Sequence, residues 1–119
     1  MKIADPTPCD ALHAMREMDA LDYDAYVFVD AATGAPAAVR RSGPLGYRLL
    51  STRPGRPGAH VPYLIIDPHP VPRLAVGEAI VRVEDTARAL LFFVDRAADV
   101  STLLYARHCG GYGLMRILR

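Results

Sequence analysis

Cysteine is scarce in this chain of 119 residues, and the two that occur, Cys9 and Cys109, form no CxxC pair. Two isolated cysteines provide neither a disulfide framework nor a zinc site. The four histidines give no metal signal either, because only His108 stands next to another candidate ligand, Cys109. The other three are His13, His60 and His69. We therefore expect no metal ion and no cofactor.

Long apolar runs and lysine are also nearly absent. No apolar run approaches the ~20 residues of a membrane helix, and the first ten residues lack the apolar core of a secretory signal. The sequence therefore predicts a cytoplasmic protein without a membrane partner. One lysine stands against thirteen arginines. This bias is typical of GC-rich coding sequence, although the planar guanidinium also suits phosphate and carboxylate contacts.

Internal similarity is the most informative feature that the sequence does contain. Residues 14–18 align with 79–83, and 25–30 align with 90–95 at the same difference in residue number. We call this constant difference, the one that leads from 14 to 79, the repeat offset. One extra residue in the second copy's next turn would bring Val39 over Tyr105. A compensating residue in the first copy would then bring Tyr47 over Tyr112. The pattern predicts two tandem copies of one module.

Each copy begins with an amphipathic helix. In the first, Thr7 is the predicted N-cap, Pro8 the first helical residue and Asp10 the acid of a capping box. The second helix has no hydroxyl or carboxylate cap near its start at 74–75, so we expect it to fray. Apolar residues follow at helical spacing in both copies: Ala11, Ala14, Met15, Met18 and Leu21, then Val76, Ala79, Ile80, Val83 and Ala87.

Three strands follow each helix. They are predicted at 25–30, 37–41 and 47–50, and again at 90–95, 101–107 and 112–117. Ile3 should add a short leading strand to the first copy, and 63–66 one to the second. The fold class is therefore α+β, with each module a helix on a mainly antiparallel sheet of three to four strands. The first repeat covers 1–50, a Pro/Gly-rich linker 51–62 and the second repeat 63–119.

The central strands are apolar on both faces. One helix covers only one face of its sheet, so the other face needs an apolar partner, and the sister copy is the nearest one. We therefore expect the two copies to pair sheet to sheet within one chain. The predicted interface consists of Tyr26, Phe28, Val39, Leu91, Phe93 and Tyr105.

The order of these elements resembles a known family. Segments 14–18 and 23–28 are similar to the helix and first strand of the C-terminal domain of long-form bacterial ribosome hibernation factors, the sigma-54 modulation protein family. Thr33-Gly34 and 39–41 fit its turn and second strand, and 103–107 and 110–115 resemble its last two strands. Arg48 departs from the pattern by replacing a glycine, and the N-terminal domain of that family is missing from the sequence.

The resemblance implies a dimerisation module of a dormancy-type factor that silences translation. In members with one copy, two chains pair; here the pairing can close within one chain. The implied partner is the ribosome, through its small subunit, rRNA or a ribosomal protein, and by way of the full-length protein. The candidate ribosome or RNA contacts are Arg40, Arg41, Arg48, Arg53, Arg56 and Arg107.

Two other classes of function compete with this one. The alternative is a small ligand-binding or regulatory domain with a site between the repeats. An enzyme is not expected, because His13 has no acid placed to orient it and the adjacent pair His108-Cys109 does not make a facing nucleophile and base. Asp30 and Asp95 recur at equivalent positions, which a turn-opening aspartate explains.

Overall fold

A computed structural model describes residues 2–4, 6–53, 61–86, 89–107 and 109–117. Within these residues the fold is α+β, as predicted, with two helices and two mixed sheets of five and four strands. None of the described helices is long and apolar enough to span a membrane. The chain divides into two compact units, which we call the first unit (6–70) and the second unit (1–5 with 71–118).

The first unit contains one helix and the four-stranded sheet β2-β3-β4-β5. Its elements are α1 (Ala11–Ala20), β2 (Ala25–Val29), β3 (Pro36–Ser42), β4 (Gly46–Ser51) and β5 (Leu64–Ile66). The second unit contains the other helix and the five-stranded sheet β1-β9-β8-β7-β6. Its elements are β1 (Lys2–Ala4), β6 (Arg73–Leu74), α2 (Val76–Thr86), β7 (Leu90–Asp95), β8 (Val100–Ala106) and β9 (Tyr112–Ile117).

Helix α1 begins later than its predicted cap. Asp10 is the N-cap, and its carboxylate accepts a hydrogen bond of 2.8 Å from the amide of His13. The prediction of Thr7 was wrong because a carboxylate that reaches an amide three residues on satisfies the first turn by itself. At the other end Leu21 is the C-cap and is exposed, so the predicted apolar stripe stops at Met18.

Helix α2 is better capped than the sequence indicated. The Glu78 carboxylate accepts a hydrogen bond of 3.1 Å from the amide of Ala75, which is half of a capping box. Arg96 holds the same carboxylate at 2.6 Å. The amide hydrogen bond and then the Arg96 pair lower the pKa of Glu78. The expectation of an uncapped start overlooked this acid in the first turn. The last position of the predicted stripe, Ala87, lies outside the described residues.

Each helix covers one face of its own sheet, and the main helix and strand positions of the two cores correspond. In the first core Ala14, Met15 and Met18 pack with Phe28 and other strand residues. The repeat offset places Ala79, Ile80, Val83 and Phe93 at the same positions in the second core. The remaining buried members are Ala37, Val39 and Leu49 in the first core, and Leu74 and Leu104 in the second.

The strand register removes the two insertions that the sequence alignment required. Ala25 pairs with Arg40 in the first unit, and Leu90 pairs with Tyr105 in the second. Tyr105 therefore corresponds to Arg40 at the unchanged repeat offset, and its alignment with Val39 was wrong. A shift of one residue would have turned every following side chain to the opposite face.

The next hairpin keeps the same offset. Ser51 faces Ala37 in the first unit, and Arg116 faces Thr102 in the second. Both members of the second pair lie at the repeat offset from the members of the first. The two units therefore share one strand register through three consecutive strands.

The leading strands are exchanged. Strand β1 pairs in parallel with β9, and β5 pairs in parallel with β4. The prediction that each leading strand joins the sheet of the helix that follows it was therefore wrong. An apolar strand of three residues fits the edge of either sheet, so its pattern could not name its partner.

The two exchanged ladders have the same register. The amide of Asp67, just beyond β5, donates a hydrogen bond of 3.0 Å to the carbonyl of Leu49 and so continues the ladder toward Leu50. The repeat offset relates Asp67 to Lys2 and Leu50 to Met115, and Lys2 faces Met115. Of the predicted linker, 54–60 lie outside the described residues.

Candidate functional site

Five of the six predicted interface residues pack under the helix of their own unit. Tyr26, Phe28 and Val39 belong to the first core, and Leu91 and Phe93 to the second. A sheet face covered by a helix has no room for a second sheet, so their assignment to an inter-repeat interface is corrected. The sequence pattern marked two apolar faces but could not say which one the helix covers.

The opposite side of each sheet, which we call the reverse face, is also apolar. Alternation along the strands places Val29 and Ala38 on the reverse face of the first unit, and both are buried. On the reverse face of the second unit, Phe92, Leu103 and Ile117 are buried. Both faces of both sheets therefore keep apolar side chains away from water.

The reverse faces differ where the sixth predicted residue, Tyr105, lies. Tyr105 faces Gly113 across the β8–β9 hairpin, and its ring occupies the space that a side chain at Gly113 would need. The Lys2 ammonium lies 5.9 Å from the centre of this ring, which is within the range of a cation–π contact. At the corresponding positions of the first unit, Arg40 faces Arg48. The two reverse faces are thus chemically distinct.

Three of the six candidate arginines lie together on β3 and β4, and each is already engaged. Arg41 pairs with Asp19 at 3.1 Å, and Arg48 pairs with Asp67 at 3.4 Å. Arg40 donates to the carbonyl of Arg41 at 3.2 Å. These contacts compete with phosphate for the guanidinium groups, so β3 and β4 do not form a simple phosphate-binding patch.

Two of the other three candidate arginines follow the end of a strand. Arg53 is exposed just beyond β4 of the first unit. Arg107 is exposed just beyond β8 of the second unit. Arg56 lies outside the described residues. Arg53 and Arg107 are therefore the described candidates whose position best suits an external contact.

A hydrogen bond between a tyrosine hydroxyl and a carboxylate recurs in both units. The sequence analysis did not predict it. The Tyr47 hydroxyl donates to Asp19 at 2.6 Å, and the Tyr112 hydroxyl donates to Glu84 at 3.1 Å. The hydrogen bond to Asp19 is the main reason that the pKa of Tyr47 is raised. For Tyr112, desolvation and then the bond to Glu84 raise the pKa. The alignment of Tyr47 with Tyr112 identified the tyrosines, and the same repeat offset relates their partners, Asp19 and Glu84.

The two turn-opening aspartates have different partners. Asp30 accepts from the amide of Ala32 at 3.0 Å, and Asp95 accepts from the amide of Ala97 at 3.1 Å. Among the described contacts, only Asp95 also forms an ion pair with an arginine: its carboxylate lies 2.9 Å from the guanidinium of Arg116. The position that corresponds to Arg116 in the first unit is Ser51. The second unit thus adds an ion pair at an otherwise equivalent turn.

Asp95→Ala should lower the free energy of unfolding by about 1–2 kcal/mol more than Asp30→Ala. Both substitutions remove a turn hydrogen bond, but only the first leaves Arg116 without its carboxylate. The expected difference is kept small because the Arg116 side chain is 26% exposed and water screens it. Urea unfolding of the two variants measures this, and equal losses would show that the ion pair contributes nothing.

The Cys9 thiol is poorly suited to act as a nucleophile. Burial and then the neighbouring carboxylate of Asp10 raise the pKa of the Cys9 thiol, which keeps it protonated and poorly nucleophilic. Among the described residues no three His, Cys, Asp or Glu side chains are placed to hold a metal ion. The neighbour of Cys109, His108, lies outside the described residues.

Comparison with known proteins agrees with the resemblance seen in the sequence. The family model described as "Sigma 54 modulation/S30EA ribosomal protein C terminus" matches residues 1–49. Two relatives from Mycobacterium tuberculosis, strains CDC 1551 / Oshkosh and ATCC 25618 / H37Rv, are each named "Dormancy associated translation inhibitor". Each is 38% identical over 113 residues, which cover 87% of this chain and 41% of the relative.

The chain thus spans about 41% of the length of these curated relatives. Its similarity to them extends well beyond the segment that the family model matches and takes in most of both units. The helix and strands that carried the resemblance are all present in the fold. Both matches support a place for the chain in the hibernation-promoting factor family.

Proposed function

We propose that this chain is a non-catalytic pairing module of a ribosome hibernation factor and helps to silence translation by associating with the ribosome. The observation that carries this proposal is the 38% identity to proteins named as dormancy associated translation inhibitors. The fold supports it, because a sheet with buried apolar residues on both faces is typical of an element that pairs.

The pairing that we propose joins the two reverse faces within one chain. In each unit the helix already covers one face, so Val29 and Ala38, or Phe92 and Leu103, need a different apolar partner. The strand exchange supports closure within the chain. Strand β1 precedes α1 in the sequence but pairs with β9 of the second unit, and β5 precedes α2 but pairs with β4 of the first unit. Tyr105 remains in the proposed interface, since it lies on a reverse face.

Arg53, Arg56 and Arg107 are the arginines that we propose for contacts with ribosomal RNA. Arg53 and Arg107 are favoured over Arg40, Arg41 and Arg48 because they are exposed, whereas the latter three have partners within the first unit. Arg56 is proposed from its place in the sequence alone. Arginine suits phosphate because its guanidinium can donate two parallel hydrogen bonds.

Co-sedimentation with purified 70S ribosomes tests the proposal. The parent chain should pellet with ribosomes, and Arg53→Glu with Arg107→Glu should weaken this association several-fold. Arg82→Glu reverses one exposed charge on α2 and serves as the control for a non-specific effect of charge; it should behave like the parent.

A parent chain that stays entirely in the supernatant would contradict ribosome association. If such a chain were instead stabilised against heating by a small metabolite, the alternative of a ligand-binding or regulatory domain would be favoured. Equal pelleting of the double variant and the control would leave association standing and remove the arginines from it.

A further inference from the structure

The first unit has a cluster of exposed apolar side chains at one end of its sheet. Strands β2, β4 and β5 begin at this end and β3 finishes there, as their pairing directions require. We call the cluster the hairpin-end patch. It consists of Leu21 (48% exposed), Tyr23 (51%), Leu45 (77%) and Tyr63 (70%).

Backbone contacts hold the elements of this patch together. The amide of Tyr47 donates to the carbonyl of Tyr63 at 2.8 Å, which fixes Tyr63 beside the β3–β4 turn that carries Leu45. The amide of Arg41 donates to the carbonyl of Asp24 at 3.4 Å, which fixes the segment that follows Tyr23 against the end of β3. The patch therefore lies on a structured surface.

The second unit does not repeat the patch. At the repeat offset, Leu21 corresponds to Thr86 and Leu45 corresponds to Gly110. The shared fold therefore does not require large apolar residues at this end. Their exposure in one unit alone is typical of a surface used for binding.

Charge around the patch selects the kind of partner. Asp19 is paired with Arg41, but Asp22 and Asp24 are exposed at the same end. Their carboxylates would repel RNA phosphates. A second copy of the chain would bring like carboxylates together across a two-fold contact, which is also unfavourable. A protein whose apolar side chains are ringed by lysine or arginine fits both the patch and its charge.

We propose that the hairpin-end patch docks a basic ribosomal protein, whose apolar side chains cover Leu45 and Tyr63 and whose cations meet Asp22 and Asp24. This inference rests on the ribosome association proposed above and specifies a protein contact for it. It leaves the proposed RNA contacts to the three arginines named there.

Two sets of variants test the docking by co-sedimentation with purified 70S ribosomes. Leu45→Ser with Tyr63→Ser removes the apolar contact and should weaken association by about tenfold or more, as the loss of an interface anchor does. Asp22→Asn with Asp24→Lys should weaken it as well. The control is Val81→Ser, a substitution at a side chain that is 55% exposed in the second unit, and it should bind like the parent.

The sign of the charge effect discriminates between partners. Docking on RNA predicts that Asp22→Asn with Asp24→Lys tightens association, because a cation replaces an anion beside phosphate. Docking on a second copy predicts that the same change promotes dimers, which light scattering would detect. Either result overturns the proposal. All altered side chains are exposed, and circular dichroism melts verify that each variant folds like the parent.

A photo-crosslinking residue in place of Leu45 identifies what covers the patch on 70S ribosomes. The expected adduct is removed by protease and resists ribonuclease, and an adduct that ribonuclease removes would contradict the inference. If the parent does not pellet, the proposed function fails and this inference fails with it. If the parent pellets and the Leu45→Ser, Tyr63→Ser variant pellets equally, only this inference fails.

Discussion

Phe28→Ala and Phe93→Ala should each lower the free energy of unfolding by about 3–5 kcal/mol, the usual cost of removing a buried phenylalanine ring. Both rings are fully buried, at 0% exposure. They occupy the same position in the two cores, where Phe28 packs with Met18 and Phe93 packs with Val83. Each substitution removes a ring from the core beneath a helix and leaves a cavity there.

Urea or thermal unfolding of the two variants measures this loss. Tyr63→Ala removes an aromatic ring that is exposed, so it should leave the melting temperature nearly unchanged and serves as the control. If both phenylalanine variants melted within a degree or two of the parent, the rings would face water and the two cores would be misassigned.

Separating the chain between residues 53 and 61 should prevent either fragment from folding alone. The N-terminal fragment, 1–53, would carry β1 without β9 and β4 without β5, and the C-terminal fragment, 61–119, would carry the missing partners. Fragments of this size also bury too little apolar surface to be stable by themselves. Mixing equal amounts should restore the strands and give a one-to-one complex, because the exchanged strands tie the fragments together.

Far-ultraviolet circular dichroism and amide NMR spectra of each fragment, and of the mixture, test this expectation. The intact chain provides the reference spectrum. A well-dispersed native spectrum from the N-terminal fragment alone would contradict the account, since it would mean that the first unit needs neither β5 nor the second unit.

Periodicity predicted the elements of the fold that depend on local pattern. The six central strands were placed to within one residue at each end, because β-branched and aromatic runs between turn residues are a strong signal. The buried helix positions Ala14, Met18, Ala79 and Val83 were also predicted correctly, since their spacing defines one helical face.

The features that the sequence did not reveal depend on contacts between distant segments. The partners of β1 and β5 could not be read from three residues of apolar strand. The sequence also could not show which sheet face each helix covers, because both faces of the central strands are apolar. Tyr26 and Leu91 were therefore assigned to an interface, but they lie in the cores. The pairing of Tyr47 with Asp19 joins residues 28 positions apart.

Relatives with one copy of the module should pair it with a copy in a second chain, whereas this chain should pair its own two units. If the two reverse faces meet within one chain, the connecting segment keeps them at an effective concentration of about a millimolar. At micromolar protein, internal pairing would then be favoured over pairing between chains by roughly a thousandfold, or about 4 kcal/mol. The different reverse-face residues at Tyr105 and Arg40 favour unlike units over like ones.

Light scattering after gel filtration at low micromolar protein is the most direct test of pairing within one chain. The account predicts a single species with the mass of one chain, 13.0 kDa. A species of twice that mass would contradict it, because the units would then pair between chains.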